Sequence, residues 1–399
     1  MEHNASPTDN ARPAPAEVCV LTARGMAAIA SIALAGAQAV GIVEAISEKH
    51  APPCGRSTYG TIKDDGRVID SVVIACERPA CFVIHCHGNP LLVDQIVRLC
   101  RRHGAIPQPP HDLLFARYRA EAKNLLEAEA RLAMTQAVTR EGVALLQGQI
   151  AGGLSAWATR WINDKSFDSN KLKLECAEII ERSRIARRIL EGVRIALVGP
   201  PNSGKSTLLN WLAGTGAALV SETAGTTRDW VSAVCRIGPL RAEIIDTAGL
   251  DAELAAENAI EKAAQAVAIE TAATSDLILV VQDSTCPKTR PVSVPSNVPV
   301  LNIFTKIDLV PHRTILQPGS GIPVSAQHNH GLDRLCSAIR IALDAENLSV
   351  DQPICFNPRQ MLLLEAMVGS NDTKDAVRCL HRLLRGEDGP ANQTEARGS

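Results

Sequence analysis

The chain has 399 residues, 46% of them hydrophobic and 21% charged, with a formal net charge of −2. That length allows two or three domains with real cores, and the composition excludes a disordered chain. Aromatic residues at 3% argue against a stacking platform for single-stranded nucleic acid, and the near-neutral balance leaves any RNA contact to a local patch.

The first residues, MEHNASPTDNARPAPAE, are polar and proline-bearing, so 1–16 reads as a disordered leader rather than a secretory signal. The twelve cysteines are not spaced like a disulfide framework, which points to a cytoplasmic protein with reduced thiols. The run GMAAIASIALAGAQAVGIVEA from Gly25 approaches the length of a membrane span. It is rich in alanine, is broken by Gln38, and is flanked only by the single basic residues Arg24 and Lys49. The expected structure is therefore a strand followed by a packed helix, with no membrane contact.

Residues 17–110 alternate short apolar runs with glycine and proline breaks, as in EVCVLTA, RVIDSVVIACE and PACFVIHCHG, and include the helical stretch LLVDQIVRLCRRHGA. This predicts a small α+β domain. Cys81, His85, Cys86 and His87 are close together but lack the paired spacing of a zinc site. In an extended strand the two histidines share one face and Cys86 takes the other, so a packed strand end is expected.

Residues 111–190 are rich in alanine, leucine and glutamate and read as helices; 348–388 return to helix with RQMLLLEAMVG and AVRCLHRLLRG. Trp157 and Trp161, four apart, read as helix-core residues rather than base stackers. The runs CRRHG and RSRIARR fit either phosphate contacts or solvated helix faces. Between these helical stretches, residues 193–347 alternate strand-like and helix-like runs, as a parallel α/β sheet requires.

The chemistry lies in that middle region. VRIALVG reads as a buried strand, followed by Gly199-Pro200-Pro201-Asn202-Ser203-Gly204-Lys205-Ser206 and the helical TLLNWLAG. This strand–loop–helix order marks a phosphate-binding loop, with backbone N–H groups of Asn202 to Thr207 and a helix N-terminus facing the phosphates. Lys205 is expected on the β- and γ-phosphates, and the Ser206 hydroxyl on Mg²⁺. A second strand ends in Asp246-Thr247-Ala248-Gly249, where Asp246 would hold the metal through water and the Gly249 N–H the γ-phosphate. SETAGTTRD lies between them and offers Thr227 as a second Mg²⁺ ligand in a segment that orders around the γ-phosphate.

The base is read further on. In VPVLNIFTKIDLV the strand ends at Thr305-Lys306-Ile307-Asp308. The Asp308 carboxylate can accept from both N1–H and the exocyclic amine of guanine, a donor pair that adenine lacks, so the ligand is GTP. Lys306 would lie along base and sugar, and Ser325-Ala326 of PVSAQ would meet the guanine O6. Guanine-nucleotide GTPases usually carry asparagine where Thr305 stands.

Together GPPNSGKSTLLN, SETAGTTRD, DTAGL and TKID resemble the MnmE/TrmE family of tRNA-modification GTPases, as do IHCHGNP, LLEAEA, LLQG and NPRQ outside the middle region. The resemblance implies an α/β P-loop GTPase domain (193–347) inserted in a helical domain (111–190 plus 348–388), preceded by a small α+β domain (17–110). It implies GTP hydrolysis in the modification of the tRNA wobble uridine, a homodimer, and a flavin-dependent partner of the MnmG/GidA type. It further implies a potassium ion in place of an arginine finger, held by Asn202 and by a loop aligned with Ser221 to Thr226, Thr223 among them. Leu250 follows DTAG where some GTPases have a water-positioning glutamine; the family's downstream glutamate aligns with Glu261, which makes Glu261 the catalytic candidate beside Lys205.

The sequence departs from the family in two places. The family's Cys-Ile-Gly-Lys-type ending is not matched by PANQTEARGS, and the arginine and glutamate that bind a formyl-tetrahydrofolate align with Ser31 and Val83. Neither can form those charged hydrogen bonds, so folate binding is not expected. A second reading therefore stands beside the enzyme: a repurposed nucleotide-dependent switch or interaction protein without the modification chemistry.

Overall fold

In the computed structural model of the chain the described residues are 15–23, 25–215, 231–246, 271–286, 295–310, 321–346 and 348–386. They divide into two compact units, 1–121 and 122–399.

The first unit is built on a six-stranded sheet. Its elements are β1 (Glu17–Val20), β2 (Ile29–Ala35), α1 (Ala39–Ile46), β3 (Ser57–Asp64), β4 (Arg67–Arg78), β5 (Cys81–His87), α2 (Pro90–Arg102), β6 (Ile106–Pro107) and α3 (Pro110–Glu121), with strand order β3-β4-β5-β2-β1-β6. The apolar run from Gly25 thus folds as a strand and a short helix, and no described helix is long and apolar enough to cross a membrane. The period-2 pattern sends Ile32, Leu34, Ile74, Phe82 and Ile84 to one face, where Ile42, Val43 and Ile46 of α1 and Ile96 and Leu99 of α2 cover them. On the other face Leu113 of α3 packs on Cys19 and Ala33. Helix α2 starts sharply because Pro90 sits at its first position and the Asn89 carboxamide accepts from Leu91 N–H at 2.9 Å.

On β5, Cys86 is buried while His85 and His87 point to the other face. His85 Nδ1 lies 2.9 Å from Ser31 Oγ, and His87 Nδ1 lies 2.6 Å from Asp70 Oδ1. Among the described residues no group of three or more His, Cys, Asp or Glu is placed to hold a metal ion.

The second unit opens with helices α4 (Leu125–Met134), α5 (Arg140–Ala151), α6 (Gly153–Asn163) and α7 (Ser169–Glu191). There follow β7 (Val193–Val198), α8 (Lys205–Thr215), β8 (Val231–Ile237), β9 (Leu240–Asp246), β10 (Leu277–Asp283), β11 (Val300–Thr305) and β12 (Ile322–Pro323). The described helices end with α9 (Leu332–Ala342), α10 (Pro358–Gly369) and α11 (Thr373–Arg385). The strands form one sheet in the order β12-β11-β10-β7-β9-β8. It is parallel except at β8, which runs antiparallel to β9. The expected all-parallel sheet is corrected there: a two-residue turn at Gly238-Pro239, with Gly238 at φ +62°, folds β8 directly back on β9 and leaves no room for a crossover.

Helices α6, α7, α10 and α11 share a core of Leu154, Trp157, Trp161, Leu172, Leu364 and Leu380. Both tryptophans are buried, and both indole N–H groups donate to Glu175 Oε2, at 2.7 and 2.8 Å. Burial pushes the Glu175 carboxyl up, but these donors and Arg160 outweigh it and hold the group below its ordinary range. The chain that leaves α9 returns to the helices through a side-chain clamp. Gln149 Nε2 faces Val350 O (3.4 Å) and Gln352 O (3.0 Å), and its Oε1 accepts from Leu154 N (2.9 Å) and Ile354 N (3.1 Å). Gly148 beside it permits the approach, since a Cβ there would overlap the Val350 carbonyl.

Candidate functional site

Strands β9, β7, β10 and β11 all present their C-terminal ends to one side, with Leu197 level with Asp246 and Asp283 level with Thr305. In an open α/β sheet that rim is where a ligand binds. The loop after β7 fills it, and helix α8 begins at Lys205. Gly199 has to be glycine because a Cβ would overlap Val281 O; Gly204, at φ +93°, would put one 3.3 Å from Thr305 Oγ1.

Lys205 is 8% exposed, and its ammonium donates to Gly199 O (2.8 Å) and Pro200 O (2.9 Å), so it lies curled within its own loop. Ser206 Oγ donates to Asp246 Oδ2 at 2.6 Å, which joins the start of α8 to the end of β9. Two oxygens beside them, Ser203 Oγ and Asp246 Oδ1, are buried and have no hydrogen-bond partner among the described residues. Buried polar atoms are seldom left unpaired. An unpaired carboxylate oxygen next to a serine hydroxyl suits a hard cation, and an unpaired hydroxyl next to a lysine suits a phosphate oxygen. Asn202 (φ +60°) and Thr207 are exposed on the same rim.

The neighbouring strand ends are tied to the loop. Thr305 Oγ1 donates to Ser203 O at 2.6 Å and lies 3.1 Å from Gln282 O. Lys306, in the left-handed region at φ +58°, sends its ammonium to Asn202 O (2.8 Å) and Asp283 Oδ2 (2.6 Å). Burial raises the Asp283 carboxyl, but Lys306 and Thr285 together bring it below its usual range. Asp308 follows on a single 3-10 turn, Ile307–Leu309. The Ser325 hydroxyl beside it holds its carboxyl below the usual range, so it stays an acceptor at neutral pH. Ser325 is buried and exchanges both backbone hydrogen bonds with His330, each 2.9 Å, and Ala326 O accepts from Asn329 N.

The structure therefore brings Asn202, Ser203, Gly204, Lys205, Ser206, Thr207, Asp246, Thr305 and Lys306 to one rim, with Asp308 beside Ser325 and Ala326 next to it. Ser221, Thr223, Thr226, Thr227, Gly249 and Glu261 lie outside the described residues.

A family model described as "50S ribosome-binding GTPase" matches residues 194–306, from β7 through Lys306. The tRNA modification GTPase MnmE of Thermus thermophilus is 30% identical over 362 residues, covering 82% of each chain. The chain belongs to the MnmE family. MnmE of Hyphomonas neptunium is 29% identical over 399 residues, covering 90% of this chain and 89% of its own. Among solved structures, Era of Aquifex aeolicus is 28% identical with a TM-score of 0.32, covering 46% of this chain and 69% of that one. The MnmE match is thus much longer than the phosphate loop and its strands.

One residue at the rim was not singled out from sequence. Asp283 fixes Lys306, and the signal for it is its place at the end of the apolar run LILVVQD, level with Thr305. Thr305, flagged for departing from asparagine, uses its short hydroxyl to brace the loop carbonyl of Ser203.

Proposed function

We propose that this chain binds and hydrolyses GTP at the rim of its second sheet and acts, as a tRNA-modification GTPase, on the wobble uridine of tRNA. The observation that carries the nucleotide part is the pair of buried oxygens without partners, Ser203 Oγ and Asp246 Oδ1, flanking Lys205 and Ser206. Family membership supports the tRNA part.

Lys205 turns from its loop carbonyls to the β- and γ-phosphates, and the N–H groups of Asn202 to Thr207 and of Gly249 cradle them. Ser206 and Thr227 would ligate Mg²⁺ and Asp246 would hold it through water; the ion would supply positive charge to the phosphates. Asp308 accepts from guanine N1–H and its amine, Lys306 and Thr305 support the base side, and Ser325-Ala326 meet O6. Glu261 positions the attacking water. Asn202, Ser221, Thr223 and Thr226 would hold a potassium ion, which would supply positive charge against the charge that develops in phosphoryl transfer. The catalytic form is a homodimer, and a flavin-dependent protein shares the reaction. In chain order the small front domain 17–110 comes first, and the GTPase domain (193–347) is an insertion between helical segments 111–190 and 348–388.

Three outcomes test this assignment. Asp308→Ala is expected to weaken GTP by on the order of a hundredfold, since two hydrogen bonds to a charged acceptor are lost; a fluorescent-nucleotide titration with unchanged affinity removes it from base recognition. Glu261→Ala should bind GTP normally but turn over roughly a hundredfold more slowly. Unchanged turnover would take Glu261 out of the mechanism. Hydrolysis in NaCl should fall well below that in KCl, and equal rates would end the cation role.

One observation favours a second reading, the switch without modification chemistry. Ser31 and Val83 stand where the family's folate site has charged residues, and in the fold Val83 is 4% exposed while Ser31 Oγ is engaged by His85.

A further inference from the structure

At the opposite end of the same strands lies a cleft of about 570 Å³, lined by the last turns of α7, the starts of β7 and β9, and the approach to β10. With strands of six to seven residues, it is roughly 20 Å from the phosphate loop. Among the described residues its charged lining is five arginines (Arg184, Arg187, Arg188, Arg194 and Arg241) against three acids (Glu191, Glu243 and Asp276), two positive charges in surplus. None of these residues belongs to the nucleotide site.

We propose that this cleft binds backbone phosphates of RNA, the tRNA of the reading above, on which the inference rests. The first argument is the donor type. Every cation in the lining is an arginine, whose planar fork meets a phosphate with two parallel hydrogen bonds where a lysine offers a point charge. The second is availability. Among the described residues Arg187 forms an exposed pair with Glu191 (2.8 Å) and Arg194 one with Glu243 (3.6 Å), and exposed pairs of this kind yield readily to a stronger partner. Arg241 is exposed, with no ion pair or hydrogen bond from its side chain among the described residues. Arg188 is the fixed member, donating to Leu343 O at 2.8 Å.

The third argument selects RNA over a protein partner. Among the described residues Val193 is the one large apolar side chain in the lining and is itself 3% exposed, so they offer no hydrophobic anchor. Protein interfaces draw their affinity from such anchors, whereas phosphate contacts need only charge and donors. Gly192 keeps the floor open, since at φ +90° it has no side chain and a Cβ would stand 2.8 Å from Arg241 O. The low aromatic content fits contact with the backbone and not with bases.

The test is binding of fluorescently labelled tRNA to the full chain across a salt series. It compares wild type, Arg187→Ala/Arg241→Ala, and a control pair on another arginine-rich surface, Arg98→Ala/Arg101→Ala on α2. The cleft pair should bind roughly tenfold more weakly at low salt, and the slope of log affinity against log salt should fall by about 1.5, the loss of two phosphate contacts. GTP turnover without tRNA should not change. The control pair should stay within about twofold of wild type, because scattered surface charge contributes little. Wild-type affinity in the cleft pair, or an equal loss in the control pair, overturns the cleft and leaves the tRNA-modification reading standing. A wild-type chain that binds no tRNA also overturns it, and the modification profile then decides the wider reading separately.

Discussion

Lys205→Ala is expected to cut GTP hydrolysis by on the order of a hundred- to a thousandfold, the usual effect of removing one preorganised donor from a charged transition state. The expectation comes from where the ammonium sits. It is 8% exposed and bonded to two backbone carbonyls of its own loop, Gly199 O and Pro200 O. Neutral carbonyls hold a buried cation adequately, and phosphate oxygens hold it far better, so the nucleotide takes over a charge already desolvated and aimed. Alanine removes that charge from beside Ser203 Oγ and Asp246 Oδ1 and takes one of the balancing cations away from the phosphates. The loss includes two hydrogen bonds from a charged donor, roughly 1.5–3 kcal/mol each, so the folding of the variant is measured alongside its binding. Thermal unfolding therefore serves as the control for nucleotide titration, and tight GTP binding by a well-folded Lys205→Ala chain would refute the site.

Gln149→Leu is expected to give the largest loss of stability, roughly 3–5 kcal/mol in urea unfolding. Leucine nearly matches glutamine in volume, so the packing changes little and the hydrogen bonds account for the effect. Gln149 is 1% exposed, and its removal strands the N–H groups of Leu154 and Ile354, both buried, as well as the carbonyl of Gln352. Gly148→Ala makes a second check with an opposite naive expectation. Helix propensity alone would favour alanine by about 1 kcal/mol. The new methyl group would overlap the Val350 carbonyl, so the substitution should destabilise. A change below about 0.5 kcal/mol in both variants would mean that the clamp does not hold the returning segment.

What was legible in the sequence is what is local in the chain. The phosphate loop is eight consecutive residues between a strand and a helix, so its chemistry could be read directly, and β9 ends at Asp246 as its apolar run requires. The run from Gly25 resolved into strand and helix because Gly36 and Gln38 break the apolar pattern. Less legible was whatever joins distant residues. The LLQG stretch stood out without a reason; the reason is a carbonyl at Val350, 201 positions away from Gln149. The Lys306–Asp283 pair depends on the register of β10 against β11, and the indole donors of Trp157 and Trp161 meet on a carboxylate from another helix. Antiparallel β8 was hidden because alternation of apolar residues does not encode strand direction, and only the Gly238 turn does.

The most direct test of the central claim is nucleoside mass spectrometry of bulk tRNA from cells that carry this gene as their sole member of the family. Deletion should remove the wobble-uridine modification; the wild-type gene should restore it, and the Lys205→Ala gene should not. A modification level unchanged by deletion would contradict the account.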